Sequence, residues 1–139
     1  MAGKENPTEP FKRAVSAAMR AVSGDAELTV TYGAEPPGVR ANRARMPPPP
    51  RAANADQVAE IRGTGDSFSL KLRHHDEASH AASMPEGKHA RAIHDAAESA
   101  RIDIVGSHGM QGMRANISAS QELRATDRGF NQVADPDMA

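Results

Sequence analysis

Histidines are the most chemically suggestive residues of this sequence, since six of them fall within residues 74–108 and imidazole is a common ligand of transition metals. In the densest part, His75, Asp76 and His80 place two imidazoles and a carboxylate close together in the chain. A zincin motif needs two histidines at i and i+4 on one helical face, whereas His75 and His80 are five residues apart. We therefore predict no metal site, and we interpret Asp76 and His80 as a carboxylate–imidazole pair on a helix surface. If a metal does bind, its candidate ligands are His75, Asp76 and His80.

Arginines form a second group, because Arg40, Arg43, Arg45 and Arg51 occur in a stretch that contains no acidic residue. A guanidinium binds carboxylate or phosphate through paired hydrogen bonds. Arg40, Arg43 and Arg45 are therefore candidate contacts to a partner or to a carboxylate-bearing ligand, and the alternative is a solvated strand face followed by a linker. No aromatic residues interleave with the arginines to stack bases, and the net charge is −1, so we predict no nucleic-acid binding.

The string that runs from Gly65 through Asp66 to Ser69 is close to the Asp-x-Ser-x-Ser motif of metal-dependent adhesion sites. Its second serine comes one position early and no apolar strand precedes it, so we interpret Asp66 as a helix N-cap. No Gly-Lys-Ser/Thr follows the glycines, which argues against a phosphate loop and against ATP binding by this chain. The absence of cysteine excludes disulfides, thiolate nucleophiles and Cys-ligated zinc. We predict no catalytic residue and no bound cofactor here.

The first elements of the chain follow from its apolar periodicity. Apolar residues spaced as on one helical face between Phe11 and Val22 predict a helix, with Thr8 as its N-cap and Gly24 as its end. Alternation around Val30 predicts a strand, and residues 39–46 can form the returning strand of a hairpin over about 27–46. A proline linker follows over 47–55.

Helices are predicted over 56–125. Asn54 caps the first, which Gly63 and Gly65 interrupt, so that a second helix starts at Asp66. A later helix over about 87–105 carries the most regular apolar stripe. We predict that this stripe, with Ile93, Ala97 and Ile104 on one face, is the packing centre of the fold.

These elements define a mainly α fold with a small β-hairpin (α+β), in which a helical domain packs on a two-stranded antiparallel hairpin. Residues 1–9 are predicted to be a disordered N-terminus, 10–125 a single domain and 126–139 a polar, truncated tail. Aromatic residues make up only 3 % of the chain, so its core is small, and we expect either marginal stability of the isolated chain or a face buried against a partner. No apolar run reaches the roughly 18 residues of a membrane span, and we predict a soluble cytoplasmic protein without membrane contact.

Several strings, in this order, resemble the N-terminal region of CobT proteins and together cover about residues 10–134. They are Pro10-Phe11-Lys12-Arg13-Ala14, the run from Gly24 to Gly33, Asn42-Arg43-Ala44-Arg45 before the prolines, Arg62 to Ser67, His75-Asp76 with His80, Pro85-Glu86-Gly87-Lys88, Ala90 to Ile93, and Met110-Gln111-Gly112. Each string is short, and their order and spacing carry the resemblance.

The resemblance implies a non-catalytic N-terminal module of a subunit of the aerobic cobaltochelatase. This ATP-dependent ligase forms nitrogen–metal bonds by inserting cobalt into hydrogenobyrinic acid a,c-diamide during cobalamin (vitamin B12) biosynthesis. The implied partners, in a hetero-oligomer, are an AAA+ ATPase subunit (CobS-type) and a large corrin-binding subunit (CobN-type); ATP, magnesium and cobalt act at the level of the complex. CobT proteins continue into an acidic linker and a C-terminal integrin-like domain, so we expect an N-terminal fragment. The alternative is a histidine-rich metal-binding or degenerate metal-hydrolase-like module.

Overall fold

A computed structural model describes residues 6–130 and 132, and it consists of helices around one small sheet. Across these residues the elements are, in chain order, α1 (Thr8–Ser23), β1 (Thr29–Tyr32), β2 (Gly38–Arg40), β3 (Arg43–Met46), α2 (Ala55–His74), α3 (Glu77–Ala82), α4 (Lys88–Gly106) and α5 (Gln111–Asp127). The predicted mainly α, α+β class is confirmed. No helix of the described part of the chain is long and apolar enough to cross a membrane.

The sheet differs from the predicted two-stranded antiparallel hairpin. It has three strands in the order β1-β3-β2, with β1 parallel to β3 and β2 antiparallel to β3. The hairpin therefore joins β2 to β3 through a two-residue turn, in which Ala41 has a φ of 51°. Residues 39–46, predicted to be one strand, divide at this turn, and the prediction missed it because the turn contains neither Gly nor Pro.

Helix α1 begins earlier than predicted. Pro7 occupies the N-cap position and Thr8 is the first helical residue, so the prediction of Thr8 as N-cap is wrong. Asn6 provides the polar side chain at this helix start instead, because its Oδ1 accepts a hydrogen bond from the backbone amide of Thr8 at 3.2 Å. Gly24 ends the helix with a φ of 74°, as predicted. Residues 8 and 9, expected to be disordered, are helical, and residues 1–5 lie outside the described part of the chain.

Helix α2 runs without interruption through both glycines, which contradicts the predicted break at Gly63 and Gly65. Its start is as predicted, since Asn54 and Gln57 form a reciprocal capping box with hydrogen bonds of 2.9 and 3.0 Å. Neighbouring elements pack closely against both glycines, which explains why small residues occur inside this helix. A Cβ on Gly63 would lie 2.6 Å from the Cβ of Ser120 in α5, so the absence of a side chain lets the two helices approach closely.

The packing centre is α2, which contacts α1, α4, α5 and the sheet. One core cluster joins α1 and the sheet to α2; its buried members are Val15, Met19, Leu28, Ala44, Met46 and Ile61. A second joins α2 to α4 and α5 through Leu70, Ile102 and Ile117. The prediction that α4 is the packing centre through Ile93, Ala97 and Ile104 is wrong, since Ile93 and Ile104 are each 70 % exposed. Helix α4 packs through its opposite face, on which Ile102 lies.

Candidate functional site

The three candidate arginines lie together on the outer face of the sheet. Residues that face each other across strands project to the same side, and the register pairs Arg40 with Arg43 and Gly38 with Arg45. The other face of β3 carries Ala44 and Met46, both buried in the core. The alternation along β3 therefore directs Arg43 and Arg45 outward.

This surface, which we call the arginine face, also includes the outward residues of β1. Thr29 pairs with Arg43 and Thr31 with Arg45, so two hydroxyl side chains border the guanidinium groups. A shallow depression of about 670 Å³ spans the three strands. Gly38 contributes no side chain to its middle, which leaves room beside Arg45.

The charge of the arginine face is only partly balanced within the chain. Arg45 Nη1 lies 2.9 Å from Glu35 Oε2, and the Glu35 side chain is 72 % exposed. Among the described residues, neither Arg40 nor Arg43 forms a salt bridge. Like charges directly opposite each other on a sheet are unfavourable. An anion bound between Arg40 and Arg43 would relieve this repulsion, so the arrangement is suited to carboxylate or phosphate groups.

The histidine cluster is the other candidate site, and it sits where α2 ends and α3 packs on α4. The His75 and His80 rings are 5.0 Å apart, and the His80 and His94 rings are stacked at 4.4 Å. Each ring nitrogen of His75 lies near a carboxylate, with Nδ1 3.0 Å from Glu98 and Nε2 3.1 Å from Glu77. Neither His94 nor Glu98 was predicted to lie here, because both come from the distant helix α4.

Asp76 caps α3 and is not the partner of His80. Its Oδ1 accepts a 2.7 Å hydrogen bond from the amide of Ser79 and so caps α3. His80 instead contacts Asp95, with 2.7 Å between Nε2 and Oδ1, which contradicts the predicted Asp76–His80 pair. Within residues 6–130 and 132, no group of three or more His, Cys, Asp or Glu is arranged to hold a metal ion. That no metal binds at His75, Asp76 and His80 stays a prediction from the sequence.

Glu98 is the most strongly perturbed acid of the histidine cluster. Arg101 donates two hydrogen bonds to its carboxylate, at 2.7 and 2.8 Å, and His75 lies on its other side. These contacts lower the pKa of Glu98 from 4.5 to about 2, with Arg101 as the main cause. Burial has the opposite effect on Asp66 and Asp103, whose pKa values it raises.

The depressed pKa of Glu98 predicts a specific dependence of stability on pH. A carboxyl whose pKa is lower in the folded state stabilises the fold above its unfolded pKa and loses that contribution as pH falls through its folded pKa. The melting temperatures of wild type and Glu98→Gln should therefore differ most above pH 4.5 and converge between pH 4.5 and 2. Calorimetry of both proteins between pH 2 and 7 measures this difference in melting temperature. The comparison removes the opposite contributions of Asp66 and Asp103, and a constant difference down to pH 2 would contradict the assigned role.

The glycines and the Asp66 string do not form a nucleotide or adhesion-type site. Gly63 and Gly65 lie inside α2, where Gly63 faces α5 and Gly65 faces Met19 and Met46. Asp66 also lies inside α2, which contradicts its predicted role as an N-cap. Its half-buried carboxylate accepts a hydrogen bond of 3.4 Å from Asn116 Nδ2, so it links α2 to α5.

The comparisons with known proteins agree with the resemblance found in the sequence. No solved structure matches the chain. The family model described as cobalamin biosynthesis protein CobT matches residues 5–139. Because this match extends over nearly the whole sequence, the chain belongs to the CobT family of cobalamin biosynthesis proteins.

Proposed function

We propose that this chain is a non-catalytic docking module of an ATP-dependent cobaltochelatase, which inserts cobalt into hydrogenobyrinic acid a,c-diamide. One observation carries the proposal: Arg40, Arg43 and Arg45 share an exposed sheet face, as their register on β2 and β3 requires. Membership of the CobT family supplies the pathway, and the arginine face supplies a surface through which such a module can bind.

In this proposal the reaction takes place elsewhere in a cytoplasmic hetero-oligomer. A CobS-type AAA+ subunit binds ATP and magnesium, and a CobN-type subunit binds the corrin and the cobalt substrate. The ligase chemistry, formation of nitrogen–metal bonds, belongs to the whole complex. This chain holds the subunits in a productive arrangement and transmits the movement that ATP hydrolysis drives, so none of its own side chains needs to react.

The arginine face would perform this role through its guanidinium groups. Arg40 and Arg43 can each offer a planar pair of N–H donors to a carboxylate, which fixes orientation as well as position. Arg45 is already held by Glu35 at 2.9 Å, so it is pre-positioned beside the other two. The carboxylates come either from an acidic surface of a partner subunit or from the corrin substrate, and binding measurements with each separate these sources.

We expect an Arg40→Gln/Arg43→Gln double variant to bind the carboxylate-bearing partner or substrate less tightly than wild type does. The loss of two exposed ion pairs, each contributing up to about 1 kcal/mol, corresponds to up to roughly thirtyfold weaker binding. Titration calorimetry of the chain against the isolated ATPase subunit, the corrin-binding subunit and the free corrin substrate measures this and identifies the source of the carboxylates. Glutamine keeps a polar side chain without the positive charge, and both positions are exposed, so the core is unchanged.

Arg51→Gln is the matched control, since Arg51 is exposed and lies beyond the sheet. It should bind with nearly wild-type affinity at the same ionic strength. Equal affinities for the double variant and the control, with all three ligands, would show that the arginine face is a solvated surface without a docking role.

A further inference from the structure

One carboxylate already lies on the arginine face, and it belongs to the chain itself. Glu35 Oε2 is 2.9 Å from Arg45 Nη1, so the two groups form an ion pair. The Glu35 side chain is 72 % exposed and that of Arg45 is 48 % exposed, so water can solvate each group once the pair separates. The contact is therefore exchangeable, and Glu35 occupies the position that a ligand carboxylate would take at Arg45.

The strand order places Glu35 beside Arg45. Strand β1 ends level with the last residue of β3, and β2 starts at Gly38, which pairs with Arg45. Because β3 lies between β1 and β2, the connection over residues 33–37 has to cross the end of β3. Glu35 is the middle residue of this connection. Its contact with Arg45 therefore follows from the topology of the sheet.

Two prolines after Glu35 keep it close to this position. Pro36 and Pro37 have fixed φ angles, and a residue that precedes a proline is restricted to extended backbone. A carboxylate tethered over so short a distance competes at an effective concentration on the order of millimolar. A ligand with several carboxylates can overcome this competition, because it can bind Arg40 and Arg43 first and then replace Glu35.

From this ion pair and the strand order, we propose that Glu35 is an internal competitor for the arginine face. The inference rests on the proposed docking role and adds its regulation. Without a ligand, Glu35 holds Arg45 in place and offsets part of the positive charge of the face. A polycarboxylate that binds Arg40 and Arg43 releases Glu35 into water, and the depression of about 670 Å³ over the three strands leaves room for such a ligand.

An NMR titration of the whole chain with hexaglutamate, a peptide that carries several carboxylates, tests the proposal. Glu35→Gln should bind this peptide more tightly than wild type does, because Arg45 becomes available without the loss of an existing ion pair. The expected gain is up to about fivefold, which corresponds to the upper value of about 1 kcal/mol for an exposed ion pair.

Glu122→Gln is the matched control, since it removes the same charge from an exposed position on α5, outside the sheet. It should bind hexaglutamate as wild type does at the same ionic strength. A double-mutant cycle then isolates the pair. In an Arg45→Gln background, Glu35→Gln should no longer improve binding, because the guanidinium that it would release is absent.

Equal or weaker binding by Glu35→Gln would overturn the proposal, and so would an equal gain with Glu122→Gln, which net charge alone would explain. If Arg40→Gln/Arg43→Gln still weakens binding in that case, the docking role stands without an internal competitor. If wild type and every variant fail to bind hexaglutamate, the competitor and the binding of carboxylates by the arginine face are both contradicted.

Discussion

Leu70→Ala should destabilise the fold by about 2–5 kcal/mol, the range for removing a fully buried leucine side chain. Leu70 has no exposed surface and packs against Ile102 and Ile117, so it joins three helices at the second core cluster. Since whole domains are stable by only about 5–15 kcal/mol, this is a large share of the total. Urea unfolding followed by circular dichroism measures the change as a shift of the midpoint at constant slope.

Ile93→Ala is the matched control for this substitution. Ile93 is 70 % exposed, so the loss of its side chain should change stability by no more than about 0.5 kcal/mol. A large effect of Ile93→Ala together with a small effect of Leu70→Ala would restore α4 as the packing centre and contradict the described core.

Gly63→Ala should also destabilise the protein, by about 1–3 kcal/mol, although alanine is intrinsically the better helix former. The new Cβ would overlap the backbone carbonyl of Asn116 and lie 2.6 Å from the Ser120 Cβ. Helix α5 would have to move away from α2 and lose packing along their contact. The same urea unfolding experiment measures the loss.

Gly112→Ala provides the comparison within the same helix pair. A Cβ on Gly112 has no atom within 4 Å, and the residue lies in the first turn of α5. This variant should be neutral or more stable by up to about 1 kcal/mol. If Gly63→Ala were equally harmless, the close approach of α2 and α5 would not be a feature of the folded protein.

Local signals in the sequence predicted the elements whose ends depend on neighbouring residues. Gly24 ends α1 because a left-handed residue is needed there, and Asn54 starts α2 through a capping box with Gln57. The alternation of exposed and buried residues along β3, which directs Arg43 and Arg45 away from the core, is equally local. Each of these features is determined within a few residues of the chain, so a single sequence contains them.

Contacts between distant segments were not predictable in the same way. Gly63 was predicted to break the helix because the sequence does not show that α5 lies against it. The apolar stripe around Ile93 was predicted to face the core because the sequence does not show which side of α4 is buried. The order of the strands depends on the parallel pairing of β1 with β3. The contact between His75 and Glu98 joins residues 23 positions apart.

The most direct test of the proposed docking role is the rate of cobalt insertion by a complex reconstituted from this chain and the proposed ATPase and corrin-binding subunits. We expect the Arg40→Gln/Arg43→Gln variant to lower the ATP-dependent rate at limiting concentrations of the chain. A His75→Gln/His80→Gln variant, which removes the candidate metal ligands, should retain the wild-type rate. The opposite result, a normal rate without the arginines and a loss without the histidines, would contradict docking through the arginine face and favour a metal-binding role.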